Sequence, residues 1–284
     1  MAGNSLESVR GYANLGNALV EAGDLARAFE LYEQGRSAAS RFGDADRIRW
    51  FEAERVYECY WRGHWDEAGR LADDVVAQAE AGFPTAFEHD ARLVRGRIRL
   101  ARDQAPAALE DSSRALELGR RAGYPDMIVP ALALHARMLE ATGAYEEAWS
   151  LAEELLSFWP ERFPTSYWVA DLAFALRGLE RSERLLAAAK HARTSSRWLE
   201  AARAVALGEY ARASEVYAAI GSLPDELLSR IGAAREALAA GRPHEADVEL
   251  SLALPAMGRI GAGRYVREGE ALLAPSGERA TDLR

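Results

Sequence analysis

The chain has 284 residues and one cysteine, Cys59, so no internal disulfide can form. That suits a reducing compartment, and a cytoplasmic location is the expectation. Lysine is almost missing as well: of the 35 basic residues, only Lys190 is not arginine. A GC-rich genome produces that bias without selection; the alternative is selection for bidentate recognition of carboxylates. No apolar run approaches the ~20 residues of a membrane helix. The opening MAGNSLESVRGY lacks the basic-then-apolar order of a secretion signal, so none is expected. Strand-like alternation never persists beyond a few residues.

Catalytic signatures are missing too. There is no G-x-x-x-x-G-K-S/T phosphate loop and no G-x-S-x-G elbow. The five histidines, His64, His89, His135, His191 and His244, show no H-E-x-x-H or other metal spacing. The acidic pairs Asp73-Asp74, Glu146-Glu147 and Glu153-Glu154 fall on helical stretches, where adjacent side chains diverge by about 100°. The expectation is therefore a chain that is not an enzyme and needs no metal or cofactor. A net charge of −9 argues against nucleic acid as the partner. All of that excess lies in residues 1–157; residues 158–284 are neutral.

What is present is a phrase that returns. GDLARA at 23–28 is echoed by GHWDEA at 63–68, DQAPAA at 103–108 and GAYEEA at 143–148, in steps of 40 residues. GEYARA at 208–213 and GRPHEA at 241–246 follow. Around the first phrase, Tyr12, Leu15, Gly16 and Leu19 share one helix face, and Ala28, Leu31, Tyr32 and Gly35 share another. The spacing predicts helices over 5–22 and about 25–41. Gly23 would close the first, and Asp24 would cap the second. Gly63, Gly143, Gly208 and Gly241 repeat the turn. Ala28, Ala68, Ala108, Ala148, Ala213 and Ala246 sit one turn into each second helix, where two antiparallel helices approach most closely.

The fold class is therefore all-α: a solenoid of about seven antiparallel helix pairs plus a C-terminal helix. Residues 1–157 form four hairpins of 40-residue period. SFWPERFPTSYW, at 157–168, carries Pro160 and Pro164, so 158–165 reads as an irregular joint. Residues 166–274 form shorter hairpins and the closing helix. One weaker unit turns near Gly178 in GLERSE, with Glu183 in the place of the alanine. Residues 275–284 read as a disordered tail.

Residues 12–35 resemble the tetratricopeptide repeat (TPR) family, through Tyr12, the NLG at 14–16, Leu19, Gly23, Ala28, Tyr32 and Gly35. The 40-residue step is longer than the family's usual 34, and the first-helix apolar stripe of units two and three is offset by about one residue. The resemblance implies a right-handed superhelix whose first helices line a concave peptide-binding surface. Asn17 fits the asparagine of the family's carboxylate clamp, while Ala13 stands where that clamp has a base. ARLVRGRIRLARDQAPAALEDSSRALELGRRAG at 91–123 and ADVELSLALPAMGRIGAGRYVREGEALLA at 246–274 resemble helical repeats at the C-terminal end of large bacterial signalling ATPases. Those proteins couple an ATPase to a nucleotide cyclase or a DNA-binding regulator, which would make this chain the repeat region without its ATPase.

The candidate binding residues follow. Arg92, Arg95, Arg99 and Arg102, spaced 3, 4 and 3, form a basic stripe beside the apolar stripe Phe87, Ala91, Val94, Ile98 and Ala101. Facing a groove, the stripe would hold an acidic segment of a partner. Otherwise it is a solvated face tied by Glu88–Arg92 and Arg99–Asp103 pairs. The cluster Trp50, Phe51, Tyr57, Tyr60, Trp61 and Trp65 is either core between units or an aromatic-lined groove anchored by Trp61. Phe158, Trp159, Phe163, Tyr167 and Trp168 pose the same choice. His135 and Cys59 read as interior packing residues. The functional expectation is a non-catalytic module that binds protein or peptide, without nucleic acid or membrane, in bacterial signalling or transcriptional control. A stand-alone adaptor, or a small-molecule sensor with an aromatic pocket, is the alternative.

Overall fold

The computed structural model describes residues 3–83, 85–159 and 162–273. Fifteen helices and no strand occur among the described residues. They run as pairs: α1 (Gly3–Ala22) with α2 (Leu25–Phe42), α3 (Ala45–Trp61) with α4 (Trp65–Glu80), and α5 (Glu88–Ala101) with α6 (Ala105–Ala122). Next come α7 (Pro125–Ala141) with α8 (Tyr145–Phe158), α9 (Trp168–Gly178) with α10 (Ser182–Ala189), and α11 (Arg197–Leu207) with α12 (Tyr210–Ile220). α13 (Leu223–Ala239) pairs with α14 (Pro243–Arg259), and α15 (Gly263–Leu273) closes the series. Consecutive helices pack on one another, as in a helical repeat.

The returning phrase has a geometric cause. Gly23 sits at φ +84, so the chain reverses and the Asp24 amide donates to the Leu19 carbonyl at 2.9 Å. The Asp24 carboxylate then accepts from the Arg27 amide at 3.3 Å and caps α2. Ala28, Ala68, Ala108, Ala148, Ala213 and Ala246 are all fully buried at the helix crossings. In the third unit Asp103 takes the left-handed position, at φ 61. In the weak unit Glu180 takes it, at φ 56. That corrects the expected frame by two residues: five positions past the turn residue stands Leu185, fully buried, and Glu183 lies outside the contact.

The pairs also curl until distant units touch. α1 meets α11, α3 meets α13, and α5 meets α15. The Trp198 indole N–H donates to the Val20 carbonyl at 2.7 Å, and the Arg264 guanidinium to the Ala141 carbonyl at 2.8 Å. Arg267 pairs with Asp103. This closure fills the space an open coil would leave, and α5, α7 and α9 are buried nearly all round. At the centre, Asp171 of α9 receives Arg97 of α5 at 2.5 Å and Arg137 of α7 at 2.6 Å.

Between α8 and α9 the chain is irregular. The Trp159 indole N–H donates to Thr165 Oγ1 at 3.1 Å, and the Thr165 amide to Thr194 Oγ1 at 3.2 Å. Pro160 of the expected joint, and the expected tail at 275–284, lie outside the described residues.

Candidate binding site

The arginine stripe of α5 is engaged by carboxylates of the chain itself. Arg92 is 4% exposed and donates to Glu88 at 2.8 Å, Glu80 at 2.9 Å and Asp111 at 3.1 Å. Arg95 forks onto Asp111 at 2.6 and 2.9 Å and reaches Asp73 at 3.0 Å. Arg99 bonds Asp111 at 2.8 Å, in place of the expected Asp103. Arg102 pairs with Asp66 at 2.6 Å. Asp111, on α6, is fully buried beneath three guanidiniums. The stripe thus ties α5 to α4 and α6. The Glu88–Arg92 pair follows from helical spacing; Asp111 is on the next helix, where no local rule points to it.

The remaining candidates, Asn17 and Trp61, converge on one cavity of about 270 Å³. α1 supplies Asn17 and Glu21, and α3 supplies Glu54, Tyr57 and Trp61. Asp90 comes from α5, Asp126 from α7, and Phe163 and Tyr167 from the segment before α9. Tyr57, Trp61 and Tyr167 pack with centroids 5.1–5.5 Å apart and make an aromatic floor. The Tyr32 hydroxyl donates to Asn17 Oδ1 at 2.5 Å, and the Tyr57 hydroxyl to Asp90 Oδ1 at 3.2 Å. Of the other rings expected as core or groove, Phe51, Tyr60 and Trp65 are core, and Trp50 is half-buried beside them. Trp159 and Trp168 pack edge to face between the end of α8 and the start of α9.

Four carboxylates face this cavity, and their local settings differ. Asp90 and Asp126 lie in the first turns of α5 and α7, where the helix dipole favours negative charge. Pro125 at the start of α7 is the usual companion of such a turn. Glu21 lies in the last turn of α1, where the dipole disfavours it. Glu54 is half-buried in the middle of α3. Burial, and then the charge of Asp90, push its carboxyl up to about 8. Burial, and then Asp126, raise Glu21. Among the described residues no arginine, lysine or histidine pairs with Glu21, Glu54 or Asp126. Beside Asp90, which also accepts from Tyr57, the basic group is the His89 ring, at 3.3 Å. The chemistry available here is the reception of positive charge on an aromatic surface.

Other features are self-contained. In a cavity of about 490 Å³ between α7, α9, α13 and α15, Arg177 pairs with Glu236 at 3.6 Å and Arg264 with Glu268 at 3.1 Å. Cys59, His64 and Glu67 bring their ligand atoms within 4.8 Å of one another, a grouping that no histidine spacing in the sequence encodes. Arg55 already holds Glu67 at 2.5 Å, and burial, then Glu67, push the Cys59 thiol up to about 11. His135 accepts or donates at Ser112 Oγ, 2.9 Å away, and burial followed by Arg120 lowers it to about 4. No helix among the described residues is long and apolar enough to cross a membrane.

No protein-family model matches the chain, and no curated protein gives a significant match.

Proposed function

We propose that this chain is a non-catalytic helical-repeat module that binds a protein or peptide, built as a right-handed TPR-like coil. Its setting is a cytoplasmic bacterial signalling or transcriptional-regulatory system, where it senses or recruits a partner. The observation that carries this reading is the cavity formed by α1, α3, α5 and α7. It gathers residues from four repeat units and leaves three carboxylates without a cationic partner. Glu54 is half-buried, crowded by Asp90 and without a counter-ion, and an acid held so at a concave site points to use outside the fold. The arginine stripe lends the acidic-partner expectation no support, since its guanidiniums are occupied internally. The aromatic floor and the modest volume also favour the second reading, a small-molecule sensor.

The test is capture from host-cell extract by wild type and by Glu21→Lys with Asp126→Lys, both on the exposed rim. A partner retained by wild type and lost by the variant, with helix content unchanged, supports the reading. Equal capture by both places any partner elsewhere and defeats it.

A further inference from the structure

The second reading and the first share one question, the chemistry of the group that enters the cavity. Resting on the proposal above, we infer that the cavity receives an organic cation, a primary ammonium or a guanidinium, seated on the Tyr57–Trp61–Tyr167 floor beneath Glu21, Glu54 and Asp126.

Three observations converge. The first is the floor. Its rings touch one another, and Tyr57 and Trp61 are buried, so no cation fits between them; the half-buried Tyr167 ring is the one through which this floor meets an occupant. A cation with an alkyl stem gains twice, by burying methylenes on the rings and by placing its charge near them. The second is the spread of the carboxylates. Among the described residues, the only set of three or more acidic, histidine or cysteine groups close enough to share one metal ion is Cys59, His64 and Glu67. No three of the acids at the cavity are therefore close enough to share one ion. These acids suit a cation that carries several N–H donors and reaches more than one acceptor. The third is Glu21. An acid in the last turn of a helix, beside Asp126 and without a counter-ion, works against the fold. An arriving ammonium or guanidinium removes that conflict.

The size limits the occupant. At about 270 Å³ the cavity lies at the lower end of ligand sites, which span roughly 300–1,000 Å³. It has room for one side chain or one small amine. The same chemistry can therefore come from a lysine or arginine of a partner segment or from a free polyamine.

The experiment titrates the full chain with N-acetyl-lysinamide, N-acetyl-argininamide, spermidine and the uncharged N-acetyl-norleucinamide, following tryptophan fluorescence. A longer acetylated peptide with one central lysine forms a further arm. The expected result is saturable binding of the cationic probes and none of norleucinamide. Glu54→Gln with Asp126→Asn should weaken binding by about tenfold or more, and neither change removes a contact the fold uses. Tighter binding of the peptide than of N-acetyl-lysinamide assigns the source to a partner segment; tighter binding of spermidine assigns it to a free amine. Either supports the inference. Equal response to norleucinamide, or binding indifferent to the double substitution, overturns it. So does the absence of saturation by ~10 mM, a range that covers even weak single-group sites. Should the rim variant abolish partner capture while no cationic probe binds, the cation inference fails and the binding-module reading survives. If capture is also unaffected, both fail.

Discussion

Asp171 accepts from Arg97 and Arg137 where water does not reach. Burial opposes its charge, yet the two guanidiniums hold its carboxyl below the ordinary value. Removing one partner of such a cluster leaves uncompensated buried charge. Asp171→Ala is expected to destabilise by about 3–5 kcal/mol, measured by urea denaturation. A loss under ~1 kcal/mol would show that the cluster is wetter than its burial implies. Glu54 behaves in the opposite sense. It faces Asp90 of α5 and the rings of Tyr32, Tyr57 and Tyr167, with Glu21 and Asp126 at the same cavity. Its folded-state value, about 8, lies above the ordinary 4.5. Between those values the folded state holds the proton more tightly than the unfolded state does. Stability from this group is thus complete below about 4.5, falls as pH rises, and levels off above about 8. Glu54→Gln should therefore raise the melting temperature at pH 8 and leave it nearly unchanged at pH 4. The gain at pH 8 should be about 2 kcal/mol, less than full linkage because the side chain is half-exposed. An equal shift at both values would remove the titration argument.

At the scale of the helix pair, the buried alanine sets the interhelical distance. Ala148→Leu forces a branched side chain into a crossing with no space and should cost about 1–3 kcal/mol. Hydrogen exchange should accelerate first in α7 and α8; unchanged protection there would count against the crossing. These pairs were legible in the sequence because their determinants are local. A left-handed turn residue, a cap and an alanine five positions later fall within one phrase. Where a non-glycine filled the turn position, at Glu180, the frame slipped by two residues. The candidate site was less legible. The arginine stripe was visible as a pattern, but its partner Asp111 comes from the neighbouring helix. Asn17 and Trp61 were singled out for separate reasons, a family pattern and a cluster of rings. Nothing local joined them to Glu54, Asp90 and Asp126, because that meeting depends on how four units stack.

The whole molecule is governed by contacts between its two halves. Gly63 illustrates them: at φ +80 it faces Leu223 and Ile260, and an added Cβ would lie 2.6 Å from Leu223. Gly143, at φ +85, meets nothing within 4 Å. Both alanine variants carry the backbone cost of about 1–2 kcal/mol. Only Gly63→Ala should add a clash, so its denaturation midpoint should fall further than that of Gly143→Ala. Equal midpoints would mean the halves are not pressed together at this point. Loss of α15 offers a second check. A chain ending at Ala262 forfeits the Arg267–Asp103 pair and the packing of α15 on α5. Hydrogen exchange should then rise around Asp103, 164 positions away from Arg267 in sequence, as well as in the adjacent α14. A rise confined to α13 and α14 would mark an ordinary open coil, in which each unit feels only its neighbours.

The same closure has a mechanical meaning. A helical coil with free turns is a spring: stretched along its axis, it lengthens by small changes at many joints, and its hairpins peel away singly. Here the bonds from Trp198 to Val20, Arg264 to Ala141 and Arg267 to Asp103 bridge successive turns of the coil. An axial load must shear them before any hairpin can detach. The chain should resist extension up to a threshold and then yield in one event, as a latch does. The aromatic-floored cavity is built from α1, α3, α5 and α7 together with Phe163 and Tyr167 of the segment before α9, so it spans the region this latch clamps. Tension on the chain would leave its walls in place until the latch gives way, and would then dismantle it at once.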